Sequence, residues 1–318
     1  MVKLRRIASF RVKPVQPYDF ELTVRKPAGW HWFMPYEVWR GRKILTGFHF
    51  KTGSGKKILV GISAEMPGKD IVIEIYARRP LDENDVSRLR AHLVNALGAA
   101  DDIRPLYALM KKNRILKHLA RRLRGMHEGW GSDIFPSLTL AVLLQMAPIK
   151  RSEEMWRCLI EKYGEVIKFE GVPVRLWPTE EKITSVSRRE LEKCKLGYRA
   201  KNLIRLSKQM VKGFPDAVEL AKMSPDAAKE KLTGLYGIGE YSAGFATPHA
   251  SFTLDVWSVK IFHRLIFGRP APSKDPRSAI EKTGRAAECL WKDWRGYVFT
   301  YVLNDLPYLE KRFGITAD

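Results

Sequence analysis

Apolar and polar positions along the chain change their period once. In the first 79 residues they tend to alternate: KILTGFHFK (43–51), KILVGISA (57–64) and DIVIEIYARR (70–79) set β-branched and aromatic residues among others between Gly, Ser and Pro breaks. That pattern predicts strands. The TGSGKK between the first two resembles a phosphate loop only superficially. Phe50 stands where the first glycine is needed, and Lys57 where Ser or Thr is needed. It predicts a hairpin turn instead.

After RRPLDENDV the period becomes helical. DVSRLRAHLVNAL follows Asp82 or Asn84 as a start signal. Helical spacing then recurs in RILKHLARRLRGM, FPSLTLAVLLQMA, SEEMWRCLIEKYG, YRAKNLIRLSKQMVKG, DVWSVKIFHRLIFG and SAIEKTGRAAECLWKDWRGYVFTYVLNDL. KFEGVPVRLWPTEEK, with two prolines, is the one longer stretch without a period. The expected architecture is an α+β N-terminal domain over 1–99, an antiparallel sheet with a helix, followed by a larger all-α body over 100–318.

Charge narrows the partners. Lys and Arg number 56 against 35 Asp and Glu, giving a net charge of +21 over 318 residues. Such a balance points to nucleic acid ahead of an anionic membrane. No apolar run approaches the roughly 20 residues of a membrane span, and the basic, alternating N-terminus lacks the apolar core of a signal peptide. Cys158, Cys194 and Cys289 are far apart with no CxxC spacing. They predict an intracellular, disulfide-free protein without a zinc or iron–sulfur centre and with no cofactor.

The most informative stretch is GLYGIGEYSAGFA (234–246), followed by TPHASFTLDVW. Gly237 and Gly239 allow a tight turn between two short helices, and the second helix opens with backbone N–H groups that have no intrahelical partner. In a strongly basic protein, such a terminus suits a DNA phosphate held without reading a base. A glycine C-cap followed by an ordinary helix explains the same residues. Beyond it a lone acid, Asp255, stands among apolar neighbours. By itself it reads as a helix N-cap.

The wider arrangement resembles the helix–hairpin–helix DNA glycosylase superfamily (HhH-GPD), and within it the AlkA-type 3-methyladenine glycosylases. Leu235, Gly237, Ile238, Gly239, Ser242 and Ala243 match the family hairpin, and FTLDVW supplies the acid that opens a later helix. DIFPSLTLAVLLQMA is similar to the family's Asp-x-Phe…Gln helix, KLGYRAKNL resembles a segment of the 8-oxoguanine glycosylases, and LWKDWRGY resembles one near the AlkA C-terminus. The resemblance implies two helical subdomains, about 131–250 and 100–130 with 251–318, and an active-site cleft between them.

It also implies roles. Asp255 is the expected catalytic carboxylate; Gly237, Ile238, Gly239 and Ser242 form the phosphate-binding hairpin; Tyr241, Phe245 and Trp257 line the base pocket; Met146, with Gln145 before it, is the intercalating wedge. Bifunctional members carry a Lys nucleophile where this chain has Tyr241, so a monofunctional enzyme without lyase activity is expected. The expected substrate is double-stranded DNA containing a damaged base, taken by a monomer in the cytoplasm or nucleoid. An alkylated or deaminated purine fits neutral aromatics in the pocket. An oxidised purine, a T·G mismatch, and a non-catalytic module binding DNA or abasic sites stay open as alternatives. So does a monovalent cation on the hairpin carbonyls. The spacing from Tyr241 to Asp255 is shorter than is usual in the family, which bears on lesion choice. His249 and His263 flank the acid without metal-ligand spacing and read as structural.

Overall fold

The computed structural model describes residues 1–28, 37–129, 133–247 and 252–316. Its contacts divide the chain into two units. One comprises Met1–Pro14, His31–Ala99 and Gly129–Pro248; the other comprises Val15–Trp30, Ala100–Glu128 and His249–Asp318. Among the described residues, no helix is long and apolar enough to cross a membrane.

The first unit holds every strand found among the described residues: β1 (Val2–Lys3), β2 (Arg5–Val12), β3 (Val38–Arg40), β4 (Lys43–Lys51), β5 (Lys57–Glu65), β6 (Ile71–Ala77), β7 (Val166–Phe169) and β8 (Val172–Arg175). Five make an antiparallel sheet in the order β2-β6-β5-β4-β3. The TGSGKK turn closes β4 onto β5, with the Thr52 N–H donating to the Lys56 carbonyl at 2.8 Å. Asp82 starts the helix Glu83–Ala96 by accepting from the Asp85 N–H. Leu89 and Leu93 on that helix are fully buried, as are Ile62, Ile73 and Ile75 of the sheet. Each such side chain contributes about 1.5–3 kcal/mol.

The prolines in KFEGVPVRLWPTEEK predict an irregular segment, yet Val166–Phe169 and Val172–Arg175 pair as a hairpin, and β1 joins β7 in parallel. The reason is long-range. Gly47 faces Gly61 in the β4–β5 register. A Cβ on Gly47 would meet Ile167 at 2.6 Å, and one on Gly61 would meet Phe169 at 2.7 Å. The two bare glycines make the seat into which β7 fits.

The helices of the first unit share a core built on Phe135, Leu138, Val142, Leu159, Leu203, Leu232, Ile238 and Ala243. Within it lies a correction to the cysteine expectation: Cys158 and Cys194 form a disulfide across 36 residues. Their distance in sequence hid the pairing, because the fold returns the segment after Arg188–Glu192 to the helix Ile149–Tyr163. Cys289 is free and exposed.

The second unit is helical. Its core joins Leu106, Met110, Leu119, Phe262, Trp291, Tyr297, Val298 and Tyr301. The long C-terminal helical pattern is interrupted: the helix Pro276–Trp291 ends at Lys292, which has φ 48°, and a single 3₁₀ turn leads into Arg295–Asn304. The break lets Phe299 stack on Phe262, with centroids 5.1 Å apart, while Phe252 packs edge-on against Phe262 at 4.9 Å. Phe252 and Leu254 are thereby anchored to the core immediately before Asp255.

Candidate active site

The hairpin joins the helices Pro225–Thr233 and Glu240–Ala246. Gly237 takes φ +76°, a left-handed conformation that suits glycine, and its face is closed by the Asn202 side chain. Ile238 is buried and pins the turn to the core. Gly239 stands at the N-cap with extended backbone, no side-chain cap and open space where a Cβ would sit. Tyr241 and Phe245 follow on one face of the helix, and Phe245 is exposed.

Gln145 and Met146 do not continue the helix that precedes them. That helix, Ile134–Leu144, ends at Gln145, and Met146 turns to φ 50° with 94% of its surface exposed. The Gln145 side chain donates to the Gly237 carbonyl at 2.9 Å and to Ser242 Oγ at 3.4 Å. The Gln145 carbonyl accepts from the Arg199 guanidinium and, at 3.3 Å, from the Tyr198 hydroxyl. Arg199 is 4% exposed and lies against the Tyr198 ring. Of the sequence-predicted residues, Gln145, Gly237 and Ser242 are thus brought into one bonded group carrying Met146 at its tip. Arg199 and Tyr198 complete that group. Nothing in their spacing from Gln145 announces it.

Asp255 precedes the helix Ser258–Phe267 in the second unit. Its Oδ1 accepts from the Trp257 N–H at 3.1 Å, the Ser258 N–H at 2.6 Å and the Ser258 hydroxyl at 2.7 Å, and the Ser258 hydroxyl accepts from the Asp255 N–H at 2.9 Å. Among the described residues, Oδ2 has no hydrogen-bond partner. The acid therefore caps the turn that runs into that helix, its carbonyl accepting from the Val259 N–H at 2.9 Å, and has one oxygen to spare. Trp257 is 45% exposed beside it. His263 is buried and bonds Thr283 at 3.0 Å, and burial lowers its pKa, as a structural histidine requires. His249 lies outside the described residues.

A cavity of about 1090 Å³ in the first unit is lined by Lys57, Asp133, Glu180 and Lys212 among others, and by none of the sequence-predicted site residues. Asp133 caps the helix that leads to Gln145. Burial, and then Glu180, push its carboxyl up from 3.8 to about 6. A folded-state value above the unfolded one favours the protonated fold, so this contribution is full below about pH 4 and is lost as pH rises through 6. Asp133→Asn keeps the cap and removes the charge. It is expected to raise stability by about 1–2 kcal/mol at pH 7.5 and by nothing at pH 4, as urea unfolding at the two pH values will read.

Comparison with known proteins gives these parts a family. Residues 140–285 match the HhH-GPD superfamily base excision DNA repair protein family, a span holding the hairpin, Gln145, Met146 and Asp255. Over those residues the chain is similar to that superfamily, and at the level of the family the likeness supports a DNA glycosylase of base excision repair. Among its relatives is a DNA-3-methyladenine glycosylase of Bacillus subtilis, 22% identical over 254 residues, which cover 77% of this chain and 80% of the relative. Two solved structures share the fold. A 3-methyladenine DNA glycosylase from Archaeoglobus fulgidus matches with a TM-score of 0.70 and 19% identity, covering 96% of this chain and all of that one. An 8-oxoguanine glycosylase/lyase of Clostridium acetobutylicum matches with a TM-score of 0.64 and 15% identity, covering 95% and 98%.

Proposed function

We propose that the protein is a monofunctional glycosylase that works as a monomer on duplex DNA, flips out an alkylated or deaminated purine and hydrolyses its N-glycosidic bond with Asp255. The observation that carries this reading is that the chain has a phenol, Tyr241, at the family's amine position and a half-satisfied carboxylate at Asp255. In the reaction the C1′–N bond breaks and its electron pair leaves with the base. Positive charge develops on the sugar, the Asp255 carboxylate stabilises that charge, and water adds to C1′ and releases a proton. Tyr241 has no amine to form a Schiff base, so the strand stays intact. The 3-methyladenine relatives and the neutral aromatics Tyr241, Phe245 and Trp257 favour an electron-poor alkylated base.

The test is single-turnover excision on duplexes bearing 3-methyladenine-type, ethenoadenine, hypoxanthine, 8-oxoguanine, uracil and T·G sites, with and without hot alkali. Breaks only after alkali, at an alkylated or deaminated purine, are the expected result. Breaks without alkali overturn the monofunctional reading, and tight binding with no product leaves a binding module.

In this reading the Gly237–Ser242 hairpin holds a phosphate and Met146 fills the gap left by the flipped base. Met146→Gly separates the wedge from its backbone. Glycine accepts φ 50° without strain, so the variant gains about 1 kcal/mol in stability. Excision from duplex falls roughly tenfold while excision from single strands does not, because only the duplex has a stack to hold open. Thermal melts and the two excision rates check both halves.

A further inference from the structure

We infer that Ser258 is a positioning residue for excision: its hydroxyl clamps Asp255 so that Oδ1 is committed to the protein and Oδ2 is the oxygen presented to the sugar. The inference rests on the reading of Asp255 as the catalytic carboxylate.

The hydroxyl works in both directions. It donates to Oδ1 at 2.7 Å and accepts from the Asp255 N–H at 2.9 Å. The Ser258 N–H reaches the same Oδ1 at 2.6 Å. A reciprocal link between an N-cap residue and the residue three positions on is the logic of the capping box, where the partner is ordinarily Glu or Gln. Glu cannot serve here. An ionised Glu has no proton to donate and would set a second negative charge against the one the chemistry needs. A hydroxyl keeps the reciprocal bond to the N–H and adds a donor to the carboxylate. The residue type is thus fitted to an acid that must remain charged, beyond what starting a helix requires.

Burial strengthens the point. Ser258 is 2% exposed, so water does not compete for its single proton, whereas Asp255 itself is only partly buried. Two backbone N–H groups hold Oδ1 weakly, and any slip of Oδ1 turns the carboxylate about Cβ–Cγ and carries Oδ2 with it. The third bond, from a side chain anchored in the helix, tightens that hold and so narrows the directions in which Oδ2 points. A hydrogen bond to a charged group made in the reactive geometry is worth roughly one order of magnitude in rate.

The experiment measures single-turnover excision at saturating enzyme, together with lesion-duplex Kd, for Ser258→Ala, Ser258→Cys, Asp255→Asn and Asp255→Asn/Ser258→Ala. Ser258→Ala is expected to slow excision about tenfold with Kd unchanged within about twofold. In the Asp255→Asn background it is expected to change the residual rate by less than about twofold, since no carboxylate remains to be aimed. If Ser258→Ala does not fold, Ser258→Cys, nearly the same size and a weak donor, carries the test with an expected loss of about threefold or more. A folded Ser258→Ala with lowered Tm and unaltered rate makes Ser258 a helix cap only and overturns the inference. So does an unaltered rate in Ser258→Cys, where that variant stands in, or an equal loss in both backgrounds. An Asp255→Asn enzyme that excises normally defeats the reading of Asp255 itself, a different failure, visible in a different variant.

Discussion

Asp255→Asn is expected to lower single-turnover excision by at least about a hundredfold while leaving lesion-duplex affinity nearly unchanged. The substitution is chosen for what it preserves. Asn is as good an N-cap as Asp, and its carbonyl oxygen can still accept from the Trp257 and Ser258 N–H groups that now reach Oδ1. The helix Ser258–Phe267 therefore keeps its start, and only the negative charge is lost. Asp255→Ala removes cap and charge together and should also cost about 0.5–2 kcal/mol of stability. Comparing the two variants separates what the acid does for the fold from what it does for the reaction. Full activity in Asp255→Asn would make the protein a glycosylase with its acid elsewhere.

The second large effect is on stability. Replacing Cys158 and Cys194 together by Ala, or reducing them, is expected to cost about 4 kcal/mol, since the bridge closes a loop of 36 residues. For a chain of 318 residues that lowers the thermal midpoint by roughly 6 °C. The loop contains the whole β7–β8 hairpin, and the second cysteine lies four residues before Tyr198, so loosening should be felt there first. Thermal melts with and without reductant, beside the double variant, measure the effect. A midpoint that ignores reductant would mean that the thiols are unpaired in the folded protein.

The sequence was most readable where structure depends on neighbours along the chain. β4, β5 and β6 occupy the predicted strand segments nearly residue for residue, Asp82 starts its helix, and the glycine hairpin lies where its glycines place it. What was hidden depends on partners far along the chain. The β7–β8 hairpin contains Pro173 and Gly171 and owes its place to Gly47 and Gly61, more than a hundred residues earlier. The disulfide joins cysteines that no spacing rule connects. Gln145 meets Gly237 across 92 residues, and Arg199 meets Gln145 across 54. Lys292 ends a helix inside a pattern that reads as continuous. Ser258 is the exception. A small hydroxyl three positions after the acid is visible in the sequence, but its meaning appears only when its proton is seen directed at Oδ1.

The grip on Gln145 has a consequence for how tightly and how fast the protein takes DNA. Its side chain is tied to the hairpin and its carbonyl to a buried guanidinium, so the Met146 backbone is already set before any duplex arrives. A loop that must order itself on contact loses conformational entropy at that moment, and affinity falls accordingly. Here the tip and the glycine turn are bonded into one piece. With Met146 as the proposed wedge, each base step would meet a fixed probe, and the duplex, by the ease with which it yields at a damaged pair, would decide where the encounter ends.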